Sequence, residues 1–188
     1  MELLFNLVIF VVSLVVVGQH VWATRGHFVS DGMARGAMLL ATLVIVSTLV
    51  FSLLLFIESQ PPWAELAGLV LELASLALFW AAIRASRQAR LRFAFDPGLP
   101  HGIIEGGPYR YLRHPFYVSY LLFWFGWGIA IWSVWTLPFL IAFVAFYANA
   151  ARGEERKFAA TAFAPDYERY KRTAGFFWPK LGGFGSRQ

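Results

Sequence analysis

Gly107-Pro108-Tyr109-Arg110-Tyr111-Leu112-Arg113-His114-Pro115-Phe116-Tyr117 decides the reading of this chain. It is polar, basic and aromatic, and it lies directly before the longest late apolar run. Its two prolines, with Gly106 and Gly107 at its head, keep it from being one continuous helix. Arg110, Arg113 and His114 place two fixed positive charges and a titratable imidazole at the edge of a hydrophobic segment. A second polar cluster, Arg152-Gly153-Glu154-Glu155-Arg156, follows where that apolar run ends. The run between them reads as a hairpin that returns the second cluster to the side of the first. That is the geometry of a site built at a membrane surface.

Composition agrees with a membrane setting. The 188 residues are 59% hydrophobic and 14% charged, against about 25% charged in a typical soluble domain. Eight tryptophans and nineteen phenylalanines suit a chain that contacts lipid and its interfaces. The absence of cysteine excludes disulfides, thiolate metal sites and a cysteine nucleophile. No metal site is expected. The net charge of +5 comes from loop arginines rather than a soluble basic face, so nucleic acid is not an expected partner.

Working outward, residues 3–22 are nearly all Val, Leu, Ile and Phe, enough to cross a hydrocarbon core of ~30 Å. A signal peptide competes for this stretch, but no Lys or Arg precedes it and no small-x-small cleavage site follows. Residues 36–57 form the second expected span, ended by Glu58-Ser59-Gln60-Pro61-Pro62. The third covers residues 63–83. Glu72 falls some ten residues into it, where an ionisable group costs roughly 2.5 kcal/mol or more on insertion scales. It reads either as functional or as a hydrogen-bonded carboxyl facing the bundle interior. Arg84, Arg87, Arg90 and Arg92 follow, and the first three share neighbouring helical positions, so the third helix is expected to run past the membrane and anchor it by positive charge.

Residues 93–107 read as an irregular connector. Residues 116–148 are too long for one span, and Trp132-Ser133-Val134-Trp135-Thr136-Leu137-Pro138 breaks them into two expected helices of ~16 residues each. Gly126 and Gly128 would let neighbouring helices approach closely. The tail from Asn149 is amphiphilic and helical in pattern as far as Pro165. A short helix around Asp166-Tyr167-Glu168-Arg169-Tyr170-Lys171-Arg172 follows, stopped by Gly175 and Pro179. Its aromatic residues are expected to pack over the mouth of the bundle.

The fold expected is therefore an all-α integral membrane protein of about five transmembrane helices, the last two a tight hairpin, with a helical C-terminal tail. Residues 1–92 form a three-span region and 93–188 the connector, hairpin and tail, in one domain overall. Arginine-bearing loops alternate with loops that lack Lys and Arg. This places the N-terminus outside and the C-terminus, with the polar clusters, in the cytoplasm of a cell whose inner or plasma membrane holds the protein.

GPYRYLRHPFY, a hydrophobic hairpin, RGEERKFAATAFAPDYERYKR and a terminal FFWP together resemble the isoprenylcysteine carboxyl methyltransferase family, with its bacterial relatives and the phospholipid N-methyltransferases. The resemblance covers roughly residues 100–180; the earlier spans match only in being hydrophobic. It implies a methyltransferase dependent on S-adenosylmethionine, without a Rossmann domain, the cofactor lying between the last helices and the tail. Such a cofactor asks for cations toward its carboxylate, acceptors for its ammonium and hydroxyls, and aromatic faces for its adenine and sulfonium. On the resemblance, Arg113 and His114 supply the first and Glu154 and Glu155 the second. Tyr109, Tyr111 and Tyr117 supply the third, while Pro115 fixes the start of the hairpin helix.

Arg152, matching the arginine before the acidic pair in relatives, is expected to orient an anionic acceptor. An amine acceptor needs a proton sink instead, for which Glu155 or Glu72 can serve. The plainer reading of these groups is cytoplasmic anchoring by the basic residues and solvation of the acidic ones. The chain departs from the family pattern at Ser119, often glycine, and at Phe163-Ala164-Pro165-Asp166-Tyr167, where Phe-Gly often precedes the acidic-Tyr pair. The short loops point to a lipophilic acceptor, such as a prenylcysteine carboxylate or another lipid, reaching the site from the membrane. A membrane sterol or lipid reductase using NADPH shares a related hairpin and is the alternative enzyme; a membrane scaffold is the alternative without catalysis.

Overall fold

The computed structural model describes residues 2–26, 35–87 and 102–180. Six α-helices make up most of these: α1 (Glu2–Gly26), α2 (Arg35–Ile57), α3 (Pro62–Ser86), α4 (Pro115–Ile131), α5 (Leu137–Ala159) and α6 (Ala164–Thr173). Short 3-10 turns at Gly107–Arg110 and Val134–Thr136 precede α4 and α5. No strand occurs among the described residues, and the one isolated bridge pairs Leu112 with Gly175 in parallel. Arg90, Arg92 and most of the expected connector lie outside the described residues.

Among the described residues, four helices are long and apolar enough to cross a membrane: α1, α2, α3 and the α5 segment. Large apolar side chains such as Leu39, Leu49, Leu66 and Ile141 stand outward and uncovered. Lipid can cover such faces where water would not. The chain is an integral membrane protein. At seventeen residues α4 is the shortest apolar helix, near the lower limit for a span.

Glycine and aromatic residues set the packing. Gly68 of α3 and Gly126 of α4 face one another so closely that a Cβ on Gly68 would overlap the Gly126 carbonyl oxygen and Ala130. Gly126 behaves as the sequence led one to expect. Gly128 makes room for Leu140 of α5. Trp124 stacks on Phe143 at 4.1 Å, joining α4 to α5, and Phe51 of α2 meets the edges of Trp124 and Trp127. Contacts of this kind matter because apolar burial gives little net drive between helices in lipid.

Helices α1 and α3 run parallel. Ser13 Oγ donates to Glu72 Oε1 at 2.8 Å, and two turns on Trp80 Nε1 donates to Gln19 Oε1, also at 2.8 Å. Glu72 is thus wholly buried in the bundle and hydrogen-bonded.

The hairpin forms as expected, but its arms are unequal. Helix α4 ends where Trp132 adopts a left-handed conformation, with φ of 53°. Ser133 then caps the 3-10 turn, and Pro138 sits in the first turn of α5, where its missing N–H is not needed. Helix α5 does not stop after ~16 residues; it continues for twenty-three, to Ala159. Nothing between Asn149 and Phe158 breaks a helix except Gly153, which a helix tolerates at modest cost. The acidic pair therefore lies in the last turns of a long helix, not at the start of a new one. Helix α6 begins at Ala164, with Pro165 in its first turn.

Candidate active site

The first polar stretch is built as a non-helical corner. Gly107, with φ of 56°, opens the 3-10 turn and packs against Ala85 at the end of α3. Leu112 and Arg113 then pair with the tail: Arg113 N donates to Gly175 O at 2.8 Å, and Gly175 N to Tyr111 O at 2.9 Å. A side chain on Gly175 would overlap the carbonyl oxygen of Trp178. Tyr170 locks the corner from below, its hydroxyl donating to Tyr109 O at 2.6 Å and Leu112 O at 3.3 Å. Burial pushes the Tyr170 phenol up, so it stays protonated and able to donate.

Helix α4 starts at Pro115 with His114 at its cap. This sets Arg113, His114 and Tyr117 against the end of α5. His114 lies between the two glutamates, Nδ1 3.4 Å from Glu154 Oε2 and Nε2 3.1 Å from Glu155 Oε1. An imidazole with a carboxylate at each nitrogen is best matched by two N–H donors, hence by the imidazolium. Burial pulls the His114 pKa down, but the hydrogen bonds and charges of Glu154 and Glu155 outweigh it, leaving a value above that of ordinary histidine. Arg113 Nε donates to Glu155 Oε1 at 2.8 Å, and Tyr117 Oη donates to Glu154 Oε1 at 2.5 Å. Two cations and two carboxylates thus form a nearly closed cluster.

Five of the expected site residues, Arg113, His114, Tyr117, Glu154 and Glu155, come together. Pro115 is buried at the helix start, as its place in the sequence implied. Tyr109 is not part of the cluster's surface: it is buried in a separate core with Phe79, Ile83 and Phe116. Burial first, and the Glu154 charge second, raise its phenol well above the ordinary value. Arg152 is exposed on α5 and makes no hydrogen bond or ion pair with another described residue. Glu72 is remote. Its backbone packs against Gly126 of α4 while its carboxyl turns to Ser13; Gly126 is over three turns and roughly 18 Å along the axis from His114, so Glu72 cannot serve this cluster as a proton sink.

Arg113 does more than the sequence indicated. Its Nη1 donates to the carbonyls of Lys171 at 3.3 Å and Ala174 at 2.9 Å, tying the tail to the hairpin. Three of its N–H donors are thus committed, and those on Nη2 remain. Phe176 and Phe177 were legible only as tail aromatics. They close over His114, with ring centroids at 5.1 and 6.2 Å, and Arg113 lies over the Phe176 ring at 5.5 Å. Tyr147 of α5 was missed altogether; it stacks on Tyr117 at 5.5 Å, and only the hairpin register could have revealed it. Ser119, where the expected pattern has glycine, is buried and donates to Phe116 O at 2.7 Å. Its own carbonyl accepts from Ser75 Oγ at 2.7 Å.

The phospholipid methyltransferase family model matches residues 63–166, more than half of the chain. The chain belongs to the phospholipid methyltransferase family. The match reaches back through α3, which sequence inspection had taken to agree only in hydrophobicity. It also contains every member of the polar cluster. The cobalt-zinc-cadmium resistance protein CzcN of Cupriavidus metallidurans is 31% identical over 145 residues, covering 73% of this chain. The matched region spans 62% of that relative's length. The corner, the hairpin and the acidic pair all lie within the region that the family model matches.

Proposed function

We propose that the protein transfers a methyl group from S-adenosylmethionine to a lipophilic acceptor, in the manner of isoprenylcysteine carboxyl methyltransferases. The observation that carries this reading is His114 held between Glu154 and Glu155, under the aromatic cover of Phe176 and Phe177. The groups present fit such a cofactor. Glu154, with 29% of its side chain exposed, can accept from an ammonium or a ribose hydroxyl. Arg113 Nη2 can donate to a carboxylate, and the phenylalanine rings can face adenine or a sulfonium.

The cofactor supplies an activated methyl group. The chain's own residues then have to orient the acceptor in line and exclude water, which can account for much of the rate. Tyr117 fixes Glu154, while Arg113 fixes Glu155 and the tail that covers the site. Arg152, one helical turn before Glu155 and unengaged by described residues, is the proposed orienting cation for an anionic acceptor. In the same reading α4 crosses the bilayer as a fifth, short span, and the site faces the cytoplasm. The clustering of arginine at this end supports that orientation.

Purified protein titrated with S-adenosylmethionine and, separately, with NADPH tests the reading. Saturable binding of the first alone is expected. Binding of NADPH alone would replace it with a reductase.

A further inference from the structure

The opposite end of the bundle has a different chemistry. Residues 2–19, 36–83 and 115–151 contain no Lys, Arg or His. Three carboxyls gather at that end: Glu2 at the start of α1, Glu58 just past α2 and Glu65 in the first turn of α3. A cavity of about 250 Å³ opens between the ends of α1 and α2, lined by Glu2, Asn6, Phe56, Glu58 and Ser59 among others.

Its wall holds acceptors that lack donors. Asn6 is only 6% exposed, and its Oδ1 has no hydrogen-bond partner among the described residues. Outside the lining, at the same end of the bundle, Glu65 is 4% exposed, within reach of the Glu2 charge, and has an equally unpartnered Oε1. Glu58, which lines the cavity, accepts from Ser133 Oγ at 3.1 Å through Oε1, and its second carboxylate oxygen is a further acceptor. Buried acceptors of this kind are normally satisfied. An end rich in carboxylates and devoid of basic side chains favours a cation. No group of three metal-ligating side chains close enough to hold a metal ion occurs among the described residues. A larger cation, with donors spread over several directions, fits better than a bare metal ion.

We propose that the cavity bounded by Glu2, Asn6 and Glu58 binds a primary ammonium group. Such a group brings a positive charge and three N–H donors to three separate acceptors, and Phe56 offers an aromatic face to the charge. A trimethylated ammonium has the charge but no N–H, and leaves Asn6 Oδ1 unsatisfied. The ammonium can belong to an aminoethyl lipid headgroup at the interface or to a free small amine. The site does not depend on the methyltransferase reading. From Glu65 to Ala85, which packs against the corner at Gly107, α3 alone spans roughly 30 Å.

The full chain in nanodiscs of phosphatidylglycerol, a lipid without an amine, provides the test. Saturation-transfer NMR with ethanolamine should show saturable binding, and choline should bind at least tenfold more weakly. Glu2→Gln, at an exposed position, and Glu58→Gln should each weaken ethanolamine binding severalfold, with unchanged melting temperature. Asn6→Leu should abolish the preference for ethanolamine over choline. In a second arm, protein released from vesicles of equal phosphatidylethanolamine and phosphatidylglycerol is examined by native mass spectrometry. Retained phosphatidylethanolamine that is lost in Glu58→Gln supports a lipid headgroup; ethanolamine binding without lipid retention supports a free amine. Equal binding of ethanolamine and choline, or binding unaffected by both glutamate substitutions, overturns the proposal.

Discussion

Arg113 and Glu155 meet at 2.8 Å across forty-two positions of sequence. The pair closes the hairpin formed by α4 and α5. Because the same guanidinium holds the Lys171 and Ala174 carbonyls, it also fixes the tail over the site. In the proposed reading, binding and architecture therefore share one side chain.

Replacing either member of the acidic pair by its amide is expected to weaken S-adenosylmethionine binding about tenfold or more, since a charge-assisted contact is worth roughly 1.5–3 kcal/mol. Glu154→Gln and Glu155→Gln keep shape and lose charge, so both should extract and elute as wild type does. His114→Ala should weaken binding to a similar degree. Calorimetric titration checks all three; wild-type affinity in every variant would remove the cluster from the cofactor site.

Arg113→Lys keeps the charge but cannot serve Glu155 and two carbonyls from one rigid fork. The tail should loosen. Amide hydrogens of Arg113 and Gly175, which bond across the corner, are expected to exchange about tenfold faster or more, corresponding to roughly 1.4 kcal/mol or more. Amides inside α3 should be unchanged. Equal protection in the variant would show that the carbonyl contacts contribute little.

The spans of α1, α2 and α3, the broken hairpin and the two polar clusters were legible because each rests on local signals: apolar length, proline, glycine and abrupt charge. The length of α5 was not, since the amphiphilic stretch after Asn149 looks like a tail until its helical continuity is seen. The cluster's residues were legible as a set, but not their pairing with one another. Nor was Tyr109's burial in a separate core, because a tyrosine beside a basic stretch reads as surface. Whether Glu72 belonged to the site depended on helix register. Sequence gives its depth but not the eighteen or so ångströms that separate it from His114.

Tight backbone approach between α3 and α4 predicts a stability effect far from any chemistry. A Cβ on Gly68 would collide with the Gly126 carbonyl and with Ala130, so Gly68→Ala should cost about 1–3 kcal/mol by overpacking. Gly18→Ala, where a Cβ meets nothing within 4 Å, is the control and should be neutral or slightly stabilising. Thermal unfolding in a mild detergent compares them; equal midpoints would contradict the close packing.

The His114 pKa lies above the ordinary value of 6.5 because its two carboxylate partners outweigh burial. A folded-state pKa above the unfolded one gives a contribution that is complete below about pH 6.5 and lost as pH rises through the folded value. The ligand-free protein should therefore lose stability as pH rises above about 6.5. His114→Gln should flatten that dependence. S-adenosylmethionine brings one net positive charge close to the imidazolium and lowers its pKa, so binding should release protons while the neutral ring stays to hold the glutamates in place. Calorimetry in buffers of different ionisation enthalpy would detect the release in wild type and its absence in His114→Gln.

Acceptor chemistry turns on Arg152. If it orients an anionic acceptor, Arg152→Lys should lower turnover at least tenfold while S-adenosylmethionine affinity holds, because lysine lacks the planar fork that pairs with a carboxylate. Methylation of a prenylcysteine analogue measures this. If the acceptor is an amine, a cation at 152 is of no use and the same change should be close to neutral. The amine must then lose a proton, and the carboxylates near enough to take it are Glu154 and Glu155. Glu72, buried on α3 far from His114 and bonded to Ser13, should tolerate Glu72→Gln with little change in rate on either substrate. Assays on the prenylcysteine analogue and on phosphatidylethanolamine, with both variants, separate the cases. Undiminished turnover of the carboxylate substrate by Arg152→Lys would end the anion-orienting role. The exposed, unengaged position of Arg152 beside a cluster whose other cations are committed to Glu154, Glu155 and the tail favours the anionic acceptor.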